Sequence, residues 1–216
     1  MPSVLHTLLL IASAYALGSL SGSLLLGRLR GVDIRSLGSG NAGGANAFRT
    51  QGVKFACAVV VVDVGKGVLA AWLGVRYAPL AAGYADATVH GYAAAFAAVL
   101  GHVWPLWHGF RGGKGAATLA GGVLVLWPWV TPLLIAVWLG TILVSGYAGL
   151  ATLLAGLSLA LAAWWSEAAA PRLWFACAAA LLLLFTHRGN LARLLRGEES
   201  RFRRARLMHR LWRPRG

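Results

Sequence analysis

The chain has 216 residues, of which 58% are hydrophobic and only 12% charged, with a formal net charge of +14. A soluble domain carries about 25% charged residues, so this chain cannot cover a water-facing surface with polar groups, which excludes a soluble globular fold. Met1–Gly27, Ala87–Phe110 and Gly115–Ser166 hold no Asp, Glu, Lys or Arg at all. A hydrocarbon layer about 30 Å thick needs roughly 20 apolar residues as helix. These runs are rich in Ala and Leu and lack strand alternation, so helices and not a barrel satisfy the backbone in lipid. The class expected is an all-α integral membrane protein.

The first apolar run has no basic stretch before it, and its first cation, Arg28, follows it. It reads as a retained span over about Val4–Gly27 and not as a cleaved leader. Arg28, Arg30, Arg35 and Arg49, with Lys54 just beyond, place the next segment in the cytoplasm by the positive-inside rule. A second span over about Phe55–Val75 returns outward to the link Arg76–Asp86. A third, about Ala87–Trp107, comes back and delivers Arg111 and Lys114 to the cytoplasm. The last span, about Leu173–Phe185, must also end inside, because ten of the twenty cations lie between Arg188 and Arg215. Ala116–Ser166 must then start inside and finish outside, near Glu167, in an odd number of crossings. One crossing cannot use up that length and three short ones can, with breaks at Pro128 and Pro132 and at Ser145–Gly149. The expected total is seven transmembrane helices, with no internal repeat. Asn190–Trp212 mixes Leu191, Leu194, Leu195, Phe202, Leu207, Leu211 and Trp212 with arginines and reads as an interfacial amphipathic helix. Anionic lipid would hold it at about 1 kcal/mol per cation. Directly after a span, lipid is the expected partner and nucleic acid is not. Cys57 and Cys177 sit in apolar runs and read as small core residues, with neither disulfide nor metal spacing.

Two glycine-rich basic segments emerge on the same expected cytoplasmic face. In Asp33–Arg49, glycines let backbone N–H groups turn inward, Ser39, Asn41 and Asn46 add neutral donors, and Arg35 and Arg49 add charge. Such a loop suits an oxyanion. Gly38, Gly40 and Gly43 match G-x-G-x-x-G, but the element before them is a membrane helix, so the dinucleotide-binding fold is rejected. In Gly101–Thr118, Gly112, Gly113 and Lys114 open the next helix, and a helix N-terminus beside a lysine suits a phosphate. It is not a Walker loop, because His108 and Gly115 stand where that loop needs Gly and Ser or Thr. A glycine turn with snorkelling cations would explain either segment alone, but two on one face favour a site. Asp63 and Lys66 lie three apart inside a span, on one helix face, and are expected to pair and support the first loop. His102 and His187 lie near membrane boundaries, where a lone His is more often a hydrogen-bonding residue than a base; His187 has Arg188 and Asn190 beside it.

These segments together resemble the bacterial acyl-phosphate:glycerol-3-phosphate acyltransferases, over most of the chain from the first span to about Asn190. The residues that carry the resemblance are Gly38–Asn46 with Arg49, then Asp63, Lys66 and Gly67. Gly101, His102, Pro105, Phe110–Gly115, Ala117 and Thr118 follow, and His187 and Asn190 close the series. The resemblance implies seven spans in the bacterial inner membrane, with the active site and C-terminus cytoplasmic. It also implies transfer of an acyl group from acyl phosphate to glycerol 3-phosphate, giving lysophosphatidic acid for phospholipid synthesis. Ser39, Asn41, Asn46 and Arg49 would position glycerol phosphate and the acyl group, Gly112, Gly113 and Lys114 would hold a phosphate, and His187 and Asn190 would close the site. Lys66 and His102 would assist phosphate binding. Residues 1–190 would form the acyltransferase domain and 191–216 a basic amphipathic tail. Two departures stand out: Ala45 replaces a usual Thr, and Gly149 a usual Ser after the Tyr matched by Tyr147.

An acyl phosphate is already activated, so the site needs alignment and oxyanion stabilisation and no covalent nucleophile. No Ser-His-Asp set is present, and the His-x4-Asp of thioester-dependent acyltransferases fails because Trp107 follows His102 at that spacing. The hydroxyl proton is expected to pass to a substrate phosphate oxygen or to His187. Neither a metal nor an organic cofactor is expected. The competing class is a membrane carrier for an organic phosphate or other anion, disfavoured by the lack of an inverted repeat and of paired broken helices at mid-depth.

Overall fold

The computed structural model describes residues 2–78 and 84–202, and every regular element within them is helical. The chain divides into two compact units, Met1–Pro128 and Trp129–Gly216.

The first unit holds α1 (Pro2–Gly18), α2 (Gly22–Leu29), α3 (Gly44–Gln51), α4 (Val53–Arg76), α5 (Tyr84–Val103) and α6 (Ala116–Leu126). The central helix is α4, which packs against all five others. Its buried stripe is Ala56, Val59, Asp63, Lys66, Gly67, Ala70, Ala71 and Gly74, at helical spacings of three and four. Its opposite face presents Val60, Val61, Leu69 and Trp72. Small and polar inside, bulky and apolar outside, is the pattern that lipid as solvent selects. Close crossings follow from it. Gly67 of α4 lies against the Thr118 backbone of α6, and Gly18 of α1 against the Ala98 backbone of α5, where any Cβ would collide. Cys57 shares the exposed face of α4 with Val60 and Val61 and is no core residue; Cys177 is half-buried, and both are free thiols.

The second unit holds α7 (Thr131–Ser145), α8 (Ala148–Trp165), α9 (Ala170–Thr186) and α10 (Arg188–Leu195), with α8 packed between α7 and α9. Short turns bring the start of α7, the end of α8 and the start of α9 to one end, where Trp129, Trp164, Trp165 and Trp174 are all exposed. That is the aromatic belt of a membrane–water boundary. The other end collects the Gly146–Tyr147 turn, His187 and α10.

Among the described residues, α4, Pro128–Ser145 and α8 are each long and apolar enough to cross a bilayer. Two bent pairs, Val4–Gly18 with Gly22–Leu29 at 46° and Ala170–Thr186 with Arg188–Leu195 at 56°, bring the number to five. The chain is therefore an all-helical, multi-pass membrane protein. The breaks expected at Pro128 and at 145–149 fall between α6 and α7 and between α7 and α8. Three details differ from the sequence reading. The single span expected over Val4–Gly27 is two helices, and α6 has only 11 residues. The helix expected over Asn190–Trp212 stops at Leu195: Gly197 takes φ +74°, its N–H bonds the Leu194 carbonyl, and that of Glu198 bonds the Arg193 carbonyl. That paired closure terminates a helix at glycine. The link expected over Arg76–Asp86 and the tail helix extend over residues 79–83 and 203–216, which lie outside the described residues.

Candidate active site

The first glycine loop is built around an asparagine. Asp33 caps a single helical turn at Ile34–Ser36 by accepting the Arg35 N–H at 2.9 Å. The chain then reverses through Gly38 at φ +56°, a conformation open to glycine at no steric cost. The buried Asn46 fills the inside of this reversal. Its Oδ1 accepts the Ser39 N–H at 2.9 Å, and its Nδ2 donates to the Ile34 and Leu37 carbonyls at 3.0 and 2.9 Å. A Cβ on Gly38 would overlap Asn46 Oδ1. Asn46 therefore shapes the loop that exposes Ser39. The Asn41 amide lies over Gly43 at the start of α3, and Arg49 is exposed on its last turn.

The second loop folds back on the helix that precedes it. Gly112 N–H donates to the Val103 carbonyl and Gly113 N–H to the His102 carbonyl, both at 3.1 Å. The two amides expected to cradle a phosphate are thus turned toward the end of α5. The positive side of this loop comes from Lys114 and the first turn of α6, whose amides have no acceptor within the helix. The loops touch in two places. A Cβ on Gly113 would lie 2.6 Å from the Ala42 carbonyl and against His102 Nε2. Arg35 Nη1 donates to the His108 and Arg111 carbonyls at 3.0 and 3.2 Å.

Beneath the loops lies a buried polar trio. Asp63 Oδ1 stands 3.0 Å from Lys66 Nζ and 3.4 Å from His102 Nδ1, and accepts the Gly22 N–H at 3.0 Å. Lys66 Nζ also reaches the Leu20 carbonyl at 3.0 Å and His102 Nδ1 at 2.8 Å. An ammonium has three protons, and these three acceptors match them. Lys66 is thus engaged internally, and His102, accepting at Nδ1, carries its own proton on Nε2, which faces the loop junction. The Asp–Lys pair expected from sequence is present and reaches the break between α1 and α2.

In the second unit, His187 is buried and its Nδ1 donates to the Leu183 carbonyl at 2.9 Å. Asn190 Nδ2 donates to Glu199 Oε1 at 2.6 Å, and Arg193 Nε to Glu199 Oε2 at 2.8 Å. A Cβ on Gly149 would stand 2.9 Å from both Asn190 Cβ and Nδ2. Arg201 Nε donates to the Tyr147 hydroxyl at 2.5 Å and Phe202 N–H to the Gly146 carbonyl at 2.8 Å, so the chain after α10 is strapped to the α7–α8 turn.

Electrostatics at the loops follow from these contacts. The side-chain hydrogen bond from Arg35 holds the Asp33 carboxyl below its usual range, and the same bond raises Arg35. Burial, followed by the Arg35 and Arg28 guanidinium charges, lowers His108 below its ordinary 6.5.

The order of these elements along the chain is shared with known proteins. A family profile described as Glycerol-3-phosphate acyltransferase matches residues 8–197. The chain belongs to this glycerol-3-phosphate acyltransferase family. It is 40% identical over 189 residues to a glycerol-3-phosphate acyltransferase of Brucella anthropi, covering 87% of this chain and 89% of the relative. With the one from Rhodospirillum rubrum it shares 43% over 193 residues, 88% of each chain. A crystal structure of PlsY, an integral membrane glycerol 3-phosphate acyltransferase, in its glycerol 3-phosphate form superposes with a TM-score of 0.84 at 34% identity, covering 96% of this chain and 99% of that one. The lysophosphatidic acid form gives 0.81 at 35% identity, covering 91% and 95%.

In this acyltransferase the first unit brings together the Ser39 loop, the Lys114 loop and the trio beneath them. Asn190 and the buried His187 sit at one end of the second unit. Sequence reasoning missed two residues. In the sequence Arg35 reads as charge for an anion, yet its fork holds Asp33 and two backbone carbonyls. Glu199 reads as part of the basic tail, yet it is a buried acid held by Asn190 and Arg193; its position just past a helix-stopping glycine is the available signal.

Proposed function

We propose that this enzyme takes its acyl group from acyl phosphate and transfers it to a hydroxyl of glycerol 3-phosphate. Family membership makes the chain a glycerol-3-phosphate acyltransferase of phospholipid synthesis, with lysophosphatidic acid as product. The hydroxyl oxygen bonds to the acyl carbon, the acyl carbon–oxygen bond to phosphate breaks, and inorganic phosphate leaves. Ser39, Asn41, Arg49 and Lys114 bind phosphate oxygens of the two substrates. Asn46, His102, Gly112 and Gly113 hold the loops that present them, with Asp63 and Lys66 as support. The family resemblance assigns His187 and Asn190 to the same reaction, with the hydroxyl proton passing to a phosphate oxygen or to His187. The observation that carries this reading is the contact of two glycine-rich loops through Arg35 and Gly113, one exposing Ser39 and the other carrying Lys114. In His187, the Nδ1 contact with the Leu183 carbonyl fixes the orientation of the ring. The membrane arrangement proposed is seven spans, with both loops and the tail 191–216 in the cytoplasm, the tail on anionic lipid.

The test is product formation by the purified protein in detergent, with glycerol 3-phosphate and either a long-chain acyl phosphate or acyl-CoA. Lysophosphatidic acid is expected from the acyl phosphate alone. Product from acyl-CoA would refute the donor assignment, and binding of glycerol 3-phosphate without product would indicate a carrier or a family member that has lost activity. His187→Ala is expected to lower kcat by about 100-fold or more if the histidine takes the proton; full turnover assigns that step to phosphate.

A further inference from the structure

Arg35 has five N–H donors in a planar fork, and the structure accounts for four of them within the protein. Nε donates to Asp33 Oδ1 and Oδ2 at 3.0 and 3.2 Å, and Nη2 to Asp33 Oδ2 at 2.8 Å. Nη1 takes the carbonyls of His108 and Arg111 at 3.0 and 3.2 Å. Asp33 in turn caps the turn that opens the first loop, and His108 and Arg111 flank the approach to Lys114 in the second. One guanidinium therefore joins the base of the Ser39 loop to the base of the Lys114 loop. The connection spans 73 and 76 residues of sequence.

We propose that Arg35 is a positioning residue for acyl transfer, a clamp that fixes the spacing of the two phosphate-binding loops through Asp33, the His108 carbonyl and the Arg111 carbonyl. This rests on the functional reading above and adds a residue to it that touches no substrate. Two neighbouring carbonyls and a carboxylate need a rigid, planar donor set. Lysine brings the same charge as a single flexible point and cannot reach all three at once. The clamp lies outside the helix crossings around α4, with 28% of the Arg35 side chain exposed, so its removal leaves those crossings in place.

The experiment compares the wild type with Arg35→Lys, Arg35→Gln and Asp33→Asn, in detergent, by three readouts. Steady-state kinetics with glycerol 3-phosphate are expected to show KM raised about tenfold in both Arg35 variants, the size of one lost charge-assisted hydrogen bond, with a smaller change in kcat. Thermal midpoints are expected to stay within a few degrees of the wild type. Amide exchange is expected to quicken in residues 33–46 and 106–114 and nowhere else. Combining Asp33→Asn with Arg35→Lys should add little to either alone, because both open the same clamp. A Lys variant with wild-type KM beside a defective Gln variant would overturn the proposal, since charge and not geometry would then matter. Unchanged exchange in both loops would overturn it irrespective of turnover. An inactive wild type would refute the acyltransferase reading separately, with the exchange result still deciding whether Arg35 clamps the loops.

Discussion

The contact between Asn190 and α8 gives the sharpest prediction. The resemblance to other acyltransferases implies a Ser where this chain has Gly149, so restoring Ser should help if the missing hydroxyl were the only difference. The structure predicts the reverse. A Cβ at Gly149 would stand 2.9 Å from Asn190 Cβ and Nδ2 and 3.0 Å from Cγ. Non-bonded heavy atoms prefer about 3.5–4.0 Å, so the Asn190 side chain must retreat by at least about 0.6 Å. That retreat acts on a 2.6 Å bond to a buried carboxylate, Glu199 Oε1. Losing a hydrogen bond to a charged group costs about 1.5–3 kcal/mol, a factor of about 10 to 150. Arg193 still holds the other oxygen at 2.8 Å, so the lower end applies. Gly149→Ser is expected to reduce kcat/KM about tenfold, measured as lysophosphatidic acid formed from acyl phosphate. Gly149→Ala separates bulk from hydroxyl and should lose as much. Wild-type or higher activity in the Ser variant, at an unchanged thermal midpoint, would refute the packing argument and return the explanation to the hydroxyl.

Two further predictions concern the first unit. Lys66→Met leaves Asp63 charged and buried without its partner, which costs about 3–5 kcal/mol; the thermal midpoint in detergent should collapse, while adding Asp63→Asn should recover part of it. Equal losses from the single and double variants would show that the ion pair is not the source. His108 is held below 6.5 chiefly by burial, so the folded state resists a proton that the unfolded state accepts. The stability it contributes is present above that value and declines as pH falls through it. His108→Asn should flatten the decline in thermal midpoint between about pH 7 and pH 5, and an unchanged slope would exclude His108 as its origin.

Much of this was legible in the sequence because the signals were local. Uncharged runs gave the helices, Pro128 and Gly146 marked breaks, and the spacing of Asp63 and Lys66 placed both on one face of α4. The reading failed where a residue's partner is set by a fold-back that leaves no periodic trace. Nothing near Arg35 announces carbonyls more than 70 residues away. Gly112 and Gly113 looked like donors awaiting an anion, and only the closeness of the end of α5 decides that their N–H groups turn to His102 and Val103. Asn46 had the chemistry of a ligand but sits inside its own loop. Glu199 was obscured by composition, one of two adjacent acids in a run of arginines.

The bend between α1 and α2 has a consequence for how the protein is made. A proline kink forms with its own helix, because the ring that causes it is already there. This bend has no proline. The backbone groups freed by the break, the Leu20 carbonyl and the Gly22 N–H, are satisfied by Lys66 and Asp63, which the ribosome delivers some forty residues afterwards. The shape of the break between α1 and α2 therefore depends on two side chains of α4. A change made in α4 alters the path of α1 and α2 without touching a residue in either.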